Sequence, residues 1–264
     1  MPPVDSTGQL RSAMAASHLD FAGAWNALEQ MRQAKAVPVQ SAEYGFQACH
    51  RAELGLYEQA RRILRDGIQF DREHGLLATA LMKQRMLAQV FFSEGRHKEA
   101  HDVCREMLAT RPGHTAMMEI GCLLAQIGDL RGSRACLRRG IPTWPVYEHW
   151  QNRLQGEIAL ASGDAPLALK MMKAASQDGA HAVAEWPGYL VRAAYAAGVS
   201  ILVKASLSSL LRNPARYWFN ADLTSPGFLN GALRFIEQLK DPNLQSQAAG
   251  LGRALRFTNE RNRN

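Results

Sequence analysis

The chain has no run of 18 apolar residues, so a membrane-spanning helix is not expected. Its opening, MPPVDSTGQL, lacks the charged start and apolar stretch of a secretory leader, and a cytoplasmic location is the expectation. Cysteine is scarce. Cys49, Cys104, Cys122 and Cys136 are the only four in 264 residues, no two stand at CxxC spacing, and four are too few to staple a chain of this size. Each stands among apolar neighbours, where a free thiol acts as a small hydrophobe, as it would in a reducing compartment. Also missing are the Walker-type phosphate loop, the dinucleotide fingerprint and the GxSxG elbow. An enzyme is therefore not expected, and no cofactor is called for.

What is present is enough apolar surface for a core. Apolar residues make up 47% of the chain, which disfavours wholesale disorder. Lys and Arg number 31 against 24 Asp and Glu, a formal charge of +7. That surplus either reflects an ordinary solvated surface of interspersed charges or favours an acidic partner.

Short turns recur along the chain. Gly55, Gly95, Gly128, Gly163 and Gly198 each stand between amphipathic stretches, at spacings of 40, 33, 35 and 35 residues, and Leu19 fits the same series 36 residues before Gly55. Five residues after the anchors come Ala24, Ala60, Ala100, Ser133, Ala168 and Val203. Nine after come Leu28, Leu64, Cys104, Leu137, Met172 and Leu207. Seven before come Ser12, Ala48, Ala88, Gly121, Gly156 and, larger, Val191. Pro112 and Pro145 follow two anchors by 17 residues, with Pro214 one residue from that place. Each column has a physical reason. Glycine lets the backbone leave a helix in a left-handed conformation, small residues let helices cross closely, and proline stops the second helix. The 40-residue spacing predicts a longer helix or loop around Gln69–Gly75.

These columns, clearest in GRHKEAHDVCREMLATRP from Gly95 and GCLLAQIGDLRGSRACL from Gly121, resemble the tetratricopeptide repeat family. The usual aromatic of the first helix is met only at Tyr44. The resemblance implies an all-α fold: a right-handed superhelical solenoid of about six helical hairpins over residues 5–215, in a single domain. Ser225-Pro226 and Asp241-Pro242 each set a cap residue before proline and predict two capping helices over about 225–257, with a polar tail at 258–264. The layout is also similar to helical-repeat regions attached to bacterial regulators and kinases.

Such an array implies a scaffold or adaptor that holds a peptide or helix of another protein in a concave groove lined by the first helices. The register places Arg85, Gln89, Phe92, Met118, Gln126, Trp150, Arg153, Glu157, Arg192 and Tyr195 there. Arginine forks suit carboxylates, and aromatics with adaptable methionine suit peptides, so an acidic partner is expected. The bland alternative is that the arginines pair with Glu157 and Glu185 on a solvated wall. The Lys and Asn clamp that the family uses for C-terminal carboxylates is absent. Other readings stay open: a regulatory or sensor module, a homodimer, or RNA binding, although RNA-reading repeats need recurrent polar columns that do not recur here. Tyr217-Trp218-Phe219, with Arg212 and Arg216 before it, is either an exposed patch or a plug between repeats and cap. His97, His101 and Cys104 lie on one helix face, but His97 and Cys104 stand in columns that packing fills elsewhere, and no metal is expected.

Overall fold

The computed structural model describes residues 36–140, 148–176, 186–212 and 228–261, and every regular element among them is an α-helix. In chain order these are α1 Val37–Glu53, α2 Tyr57–Glu73, α3 Leu77–Ser93, α4 His97–Ala109, α5 His114–Ile127 and α6 Leu130–Arg139. There follow α7 Glu148–Ala161, α8 Ala165–Ser176, α9 Trp186–Ala196, α10 Ser200–Arg212, α11 Phe228–Leu239 and α12 Pro242–Arg261. The fold is an all-α helical repeat. Leu19, Pro145, Pro214, Ser225-Pro226 and the Tyr217-Trp218-Phe219 cluster lie outside the described residues.

The anchor glycines do what the columns require. Gly55, Gly95, Gly128, Gly163 and Gly198 all have positive φ, between 72° and 99°. At Gly55 the glycine N–H reaches the Ala52 carbonyl at 3.0 Å and the next N–H, of Leu56, reaches back to Arg51 at 2.8 Å. The same pair of bonds ends the helices before Gly128, Gly163 and Gly198, satisfying carbonyls that a helix end would leave open. The long 40-residue interval is filled by helix: α2 and α3 run 17 residues each, and a further left-handed glycine, Gly75, makes the tight turn between them.

The chain divides into two compact units, Met1–Gly95 with Ser208–Asn264, and Arg96–Leu207. In the first, α1, α2 and α3 pack on one another, and α11 packs on α1 and α12. Helices α1 and α2 cross at Gly67, where a Cβ would stand 2.6 Å from Tyr44 Cβ. Close by, Lys83 Nζ on α3 donates to Asp71 Oδ2 on α2 at 2.5 Å and to Ser41 Oγ on α1 at 2.9 Å. Both charged groups are wholly buried, and desolvation outweighs the carboxylate's pull to bring the Lys83 ammonium below its ordinary range. Arg61 adds a second tie, donating to Glu94 across α2 and α3 with its guanidinium 5.4 Å over the Phe91 ring.

In the second unit α5 packs on α4, α6 and α7, and α7 packs in turn on α6, α8 and α9. The small-residue column stands at these crossings. A Cβ on Gly121 would meet Cys136 Cβ and Leu154 Cδ2 at 2.9 Å, and one on Gly156 would meet Met172 Cε at 2.9 Å. Ala159, Ala168, Met172, Ala175, Tyr189 and Ala193 close a core between α7, α8 and α9. The columns after the turn are buried in turn: Ala60, Ala100, Ser133, Ala168 and Val203, then Leu64, Cys104, Met172 and Leu207. Leu137 is the exception. In α6 the core place falls to Cys136, small enough to sit against Gly121, and Leu137 turns half outward. All four cysteines are free and buried, as their neighbours indicated.

The end of the chain departs from expectation at one point. Asp241 caps α12 as expected, accepting from the N–H groups of Asn243 at 3.0 Å and Leu244 at 3.1 Å. The helix continues past Phe257 to Arg261, so residues 258–261 of the polar tail are helical. Polar residue types do not argue against helix: Asn, Glu and Arg are all compatible with it.

Two consequences for stability can be measured. Lys83→Met leaves the Asp71 carboxylate buried without its cation and is expected to cost about 3–5 kcal/mol in chemical denaturation, whereas Lys83→Met with Asp71→Leu recovers most of that loss. His50 is buried in α1, and burial, with Arg51 beside it, pushes its imidazole down to about 3. The folded chain holds His50 neutral while the unfolded chain protonates it below a pH of about 6.5. Stability is therefore fully present above that pH and falls as pH drops toward the folded value, by about 1.4 kcal/mol per pH unit. Urea midpoints between pH 7 and 5 should fall less steeply for His50→Gln than for wild type, and equal slopes would contradict the assignment.

Candidate functional site

Helices α5, α7 and α9 open three successive hairpins, and the structure gathers most of the expected groove residues of the second unit on them. On α7, Trp150, Arg153 and Glu157 share one face at spacings of three and four residues. The Arg153 guanidinium lies 3.8 Å over the centre of the Tyr189 ring and 5.1 Å over that of Trp150, and it donates to the Tyr189 hydroxyl. A planar cation held between two aromatic faces is fixed by its stacking as well as by its charge.

One turn further, the Glu157 carboxylate is only 1% exposed. Its Oε1 accepts from Gln126 Nε2 on α5 at 3.0 Å and from Arg192 Nη1 on α9 at 3.1 Å. A buried anion bridged in this way holds three helices in one register and aims the outer part of Arg192, 43% exposed, away from the core. Tyr195, one turn beyond Arg192, is 57% exposed. Trp150 and Gln126 are half-buried.

The arrangement has two layers. Arg153, Tyr189 and Glu157 form a buried support. Trp150, Gln126, Arg192 and Tyr195 form what reaches solvent. Met118 does not belong to the surface at all: it has no exposed area, and its Cε occupies the space where a Cβ on Gly140 would stand, 2.1 Å away. The groove register put it outward; the close approach of the Gly140 backbone to α5 makes it core instead. Arg153 and Glu157 likewise lie beneath the surface. The other three expected residues, Arg85, Gln89 and Phe92, share a face of α3 in the first unit, with Arg85 buried and Gln89 and Phe92 half-buried.

Sequence reasoning missed Tyr189, though it lies three residues before Arg192 on the same face of α9. It did weigh pairing of the arginines with Glu157, and that pairing is made by Arg192.

Cys122 beside Arg153 and Glu157 is buried, and desolvation pushes its thiol up to about 12, far from the thiolate needed for attack. His101, the middle member of the His97, His101 and Cys104 face, places Nε2 3.0 Å from Asp129 Oδ2, while Cys104 has no exposed surface. Asp129 itself caps α6 through the Gly132 N–H at 2.8 Å, and that bond, foremost, holds its carboxyl below the usual carboxylate range.

Glu157→Ala removes a buried acceptor from two donors. It is expected to lower stability by about 1–3 kcal/mol, with Glu157→Gln intermediate because the amide oxygen still accepts. Chemical denaturation of the three proteins gives the order.

The fold is therefore a helical repeat, built of hairpins closed by left-handed glycines, the architecture that the tetratricopeptide resemblance implies. No family model and no curated protein matches the chain. Two solved structures are similar over nearly the whole length. One is a tetratricopeptide repeat protein from Parabacteroides merdae ATCC 43184, at 12% identity, 95% of this chain, 98% of that chain and a TM-score of 0.46. The other is the TPR2AB-domain of yeast Sti1 in complex with pHSP90, at 12% identity, 97% and 98% coverage and a TM-score of 0.36. At these scores the likeness adds nothing to what the chain's own turns and crossings establish. No described helix is long and apolar enough to cross a membrane.

Proposed function

We propose that the chain is a protein–protein interaction scaffold or adaptor, not an enzyme, and that the α5, α7 and α9 face holds a peptide or short helix of its partner. The observation that carries this reading is the bridged support beneath exposed Arg192, one turn from exposed Tyr195. Ordering a long Arg side chain on binding normally costs conformational freedom. Here Glu157 has already ordered Arg192 at 3.1 Å, and Arg153 is fixed between two rings. Pre-organised aromatic and Arg positions are the ones that dominate interface energetics. The partner segment would set an apolar or aromatic side chain against Tyr195 and Trp150 and an acidic group near Arg192.

Affinity capture from the native lysate, followed by titration of a labelled fragment of the captured protein, tests this. Arg192→Glu with Tyr195→Ala, both exposed positions, should weaken the fragment at least tenfold, about 1.4 kcal/mol, with the helical spectrum unchanged. Equal affinity would move the interface off this face. Nucleic acid released by modest salt as the captured material would put RNA binding in its place.

A further inference from the structure

A groove of about 500 Å³ lies elsewhere in the second unit, between α6, α7 and α8. Its floor is aliphatic, with Leu137 from α6, Ile158 from α7, and Leu167 and Met171 from α8; Arg134 and Arg138 line its α6 side. It opens on a different side of α7 from the proposed peptide face. Gln155, Ile158 and Ser162 line it, whereas Trp150, Arg153 and Glu157 point to the other surface.

The groove exists because of the exchange in α6. With Cys136 in the core against Gly121, Leu137 is left half-exposed at the groove, and Leu167 opposite is 42% exposed. The α6 side is strongly basic. Arg131, Arg134, Arg138 and Arg139 are all exposed, and α6 contains no acidic residue. Arg134 reaches only Ser162 Oγ, at 3.4 Å, and Arg131, Arg138 and Arg139 form no ion pair with the described residues. The one acid in the lining, Asp164, is engaged as the cap of α8, accepting from the Leu167 N–H at 3.1 Å.

We propose that this groove docks an amphipathic helix of a partner protein, with aliphatic side chains one turn apart on the floor and acidic residues facing Arg134 and Arg138. The volume lies within the range of about 300–1,000 Å³ of clefts that hold ligands. An aliphatic floor with an adaptable methionine is how grooves receive the apolar face of a helix. Unpaired arginines along one side select carboxylates and set the orientation. Single-stranded RNA fits less well, because none of the lining residues is aromatic and bases have nothing to stack on. The chain's own last segment, TNERNRN, holds one acidic side chain against two arginines and no aliphatic residue, so it lacks both the charge and the apolar stripe this groove would take.

The probe is a labelled synthetic peptide of about four helical turns, with Leu at every third or fourth position and Glu on both flanks. Its controls are a scrambled sequence of the same composition and a version with Lys for Glu, all read by fluorescence anisotropy. The amphipathic acidic peptide should bind more tightly than both controls and more weakly as salt rises. Arg134→Glu with Arg138→Glu, and separately Leu167→Ser, should each weaken it at least tenfold. Measured in the Arg192→Glu, Tyr195→Ala background, where the proposed peptide face no longer contributes, the peptide should still bind and still be weakened by the groove substitutions, which separates the two surfaces. All these positions are exposed, and circular dichroism confirms that the variants fold. Equal binding of the scrambled peptide, loss with the arginine pair but not with Leu167→Ser, or no saturation at millimolar peptide would each overturn the proposal. So would displacement of the peptide by oligouridylate that depends on the arginines but not on Leu167.

Discussion

The left-handed glycine at the end of each first helix is the constraint on which the rest of the structure depends. A helix that ends at Gly55, Gly128, Gly163 or Gly198 in this conformation reverses within two residues, and its successor runs back antiparallel along it. Two apolar stripes are then brought face to face, and neither is wide enough to be buried by one neighbour. Stacking of hairpin on hairpin follows, seen here as contact between α1 and α3, between α5 and α7, and between α7 and α9. How closely they stack is set by the residues at the crossings. A Cβ at Gly121 would press on Cys136 Cβ, and one at Gly156 would have to displace the Met172 side chain.

Charge buried in this interior is placed where helices from different hairpins must agree on register. In the first unit Lys83, Asp71 and Ser41 join three helices with no exposed surface on either charge. In the second, Glu157 joins α5, α7 and α9, but its partner Arg192 continues to solvent. Buried ion pairs contribute little net stability over well-packed apolar side chains, because desolvation offsets most of the attraction. Their effect is selective, since a slipped register would strand a charge. The first arrangement is closed and serves the fold; the second carries that fixed register out to a surface.

A single exchange in α6 produced a second surface. The apolar residue nine positions after the turn is core in α2, α4, α8 and α10, yet Leu137 at that position is not. Cys136 takes its place, with its Cβ packed against Gly121 of α5. The larger neighbour is displaced toward α8, beside a stripe of arginines at spacings of three and four residues.

The sequence by itself determined the elements and their reversals. Glycine at positive φ, proline after a helix and Asp241 before Pro242 act through local backbone geometry, so turns at Gly55, Gly95, Gly128, Gly163 and Gly198 and the start of α12 were legible from residue type and spacing. The small-residue columns were legible for the same reason, since absence of a side chain is a property of the residue. Gly75 was passed over because its turn breaks the period of the others. Which side chains of a helix face reach solvent was decided only by the tertiary structure. Met118, Arg153 and Glu157 share a register with Gln126 and Arg192, yet Met118 is covered against Gly140, Arg153 against Tyr189, and Glu157 by its bonds to Gln126 and Arg192 on neighbouring helices. Burial depends on what lies across the crossing, and helical periodicity carries no information about that neighbour.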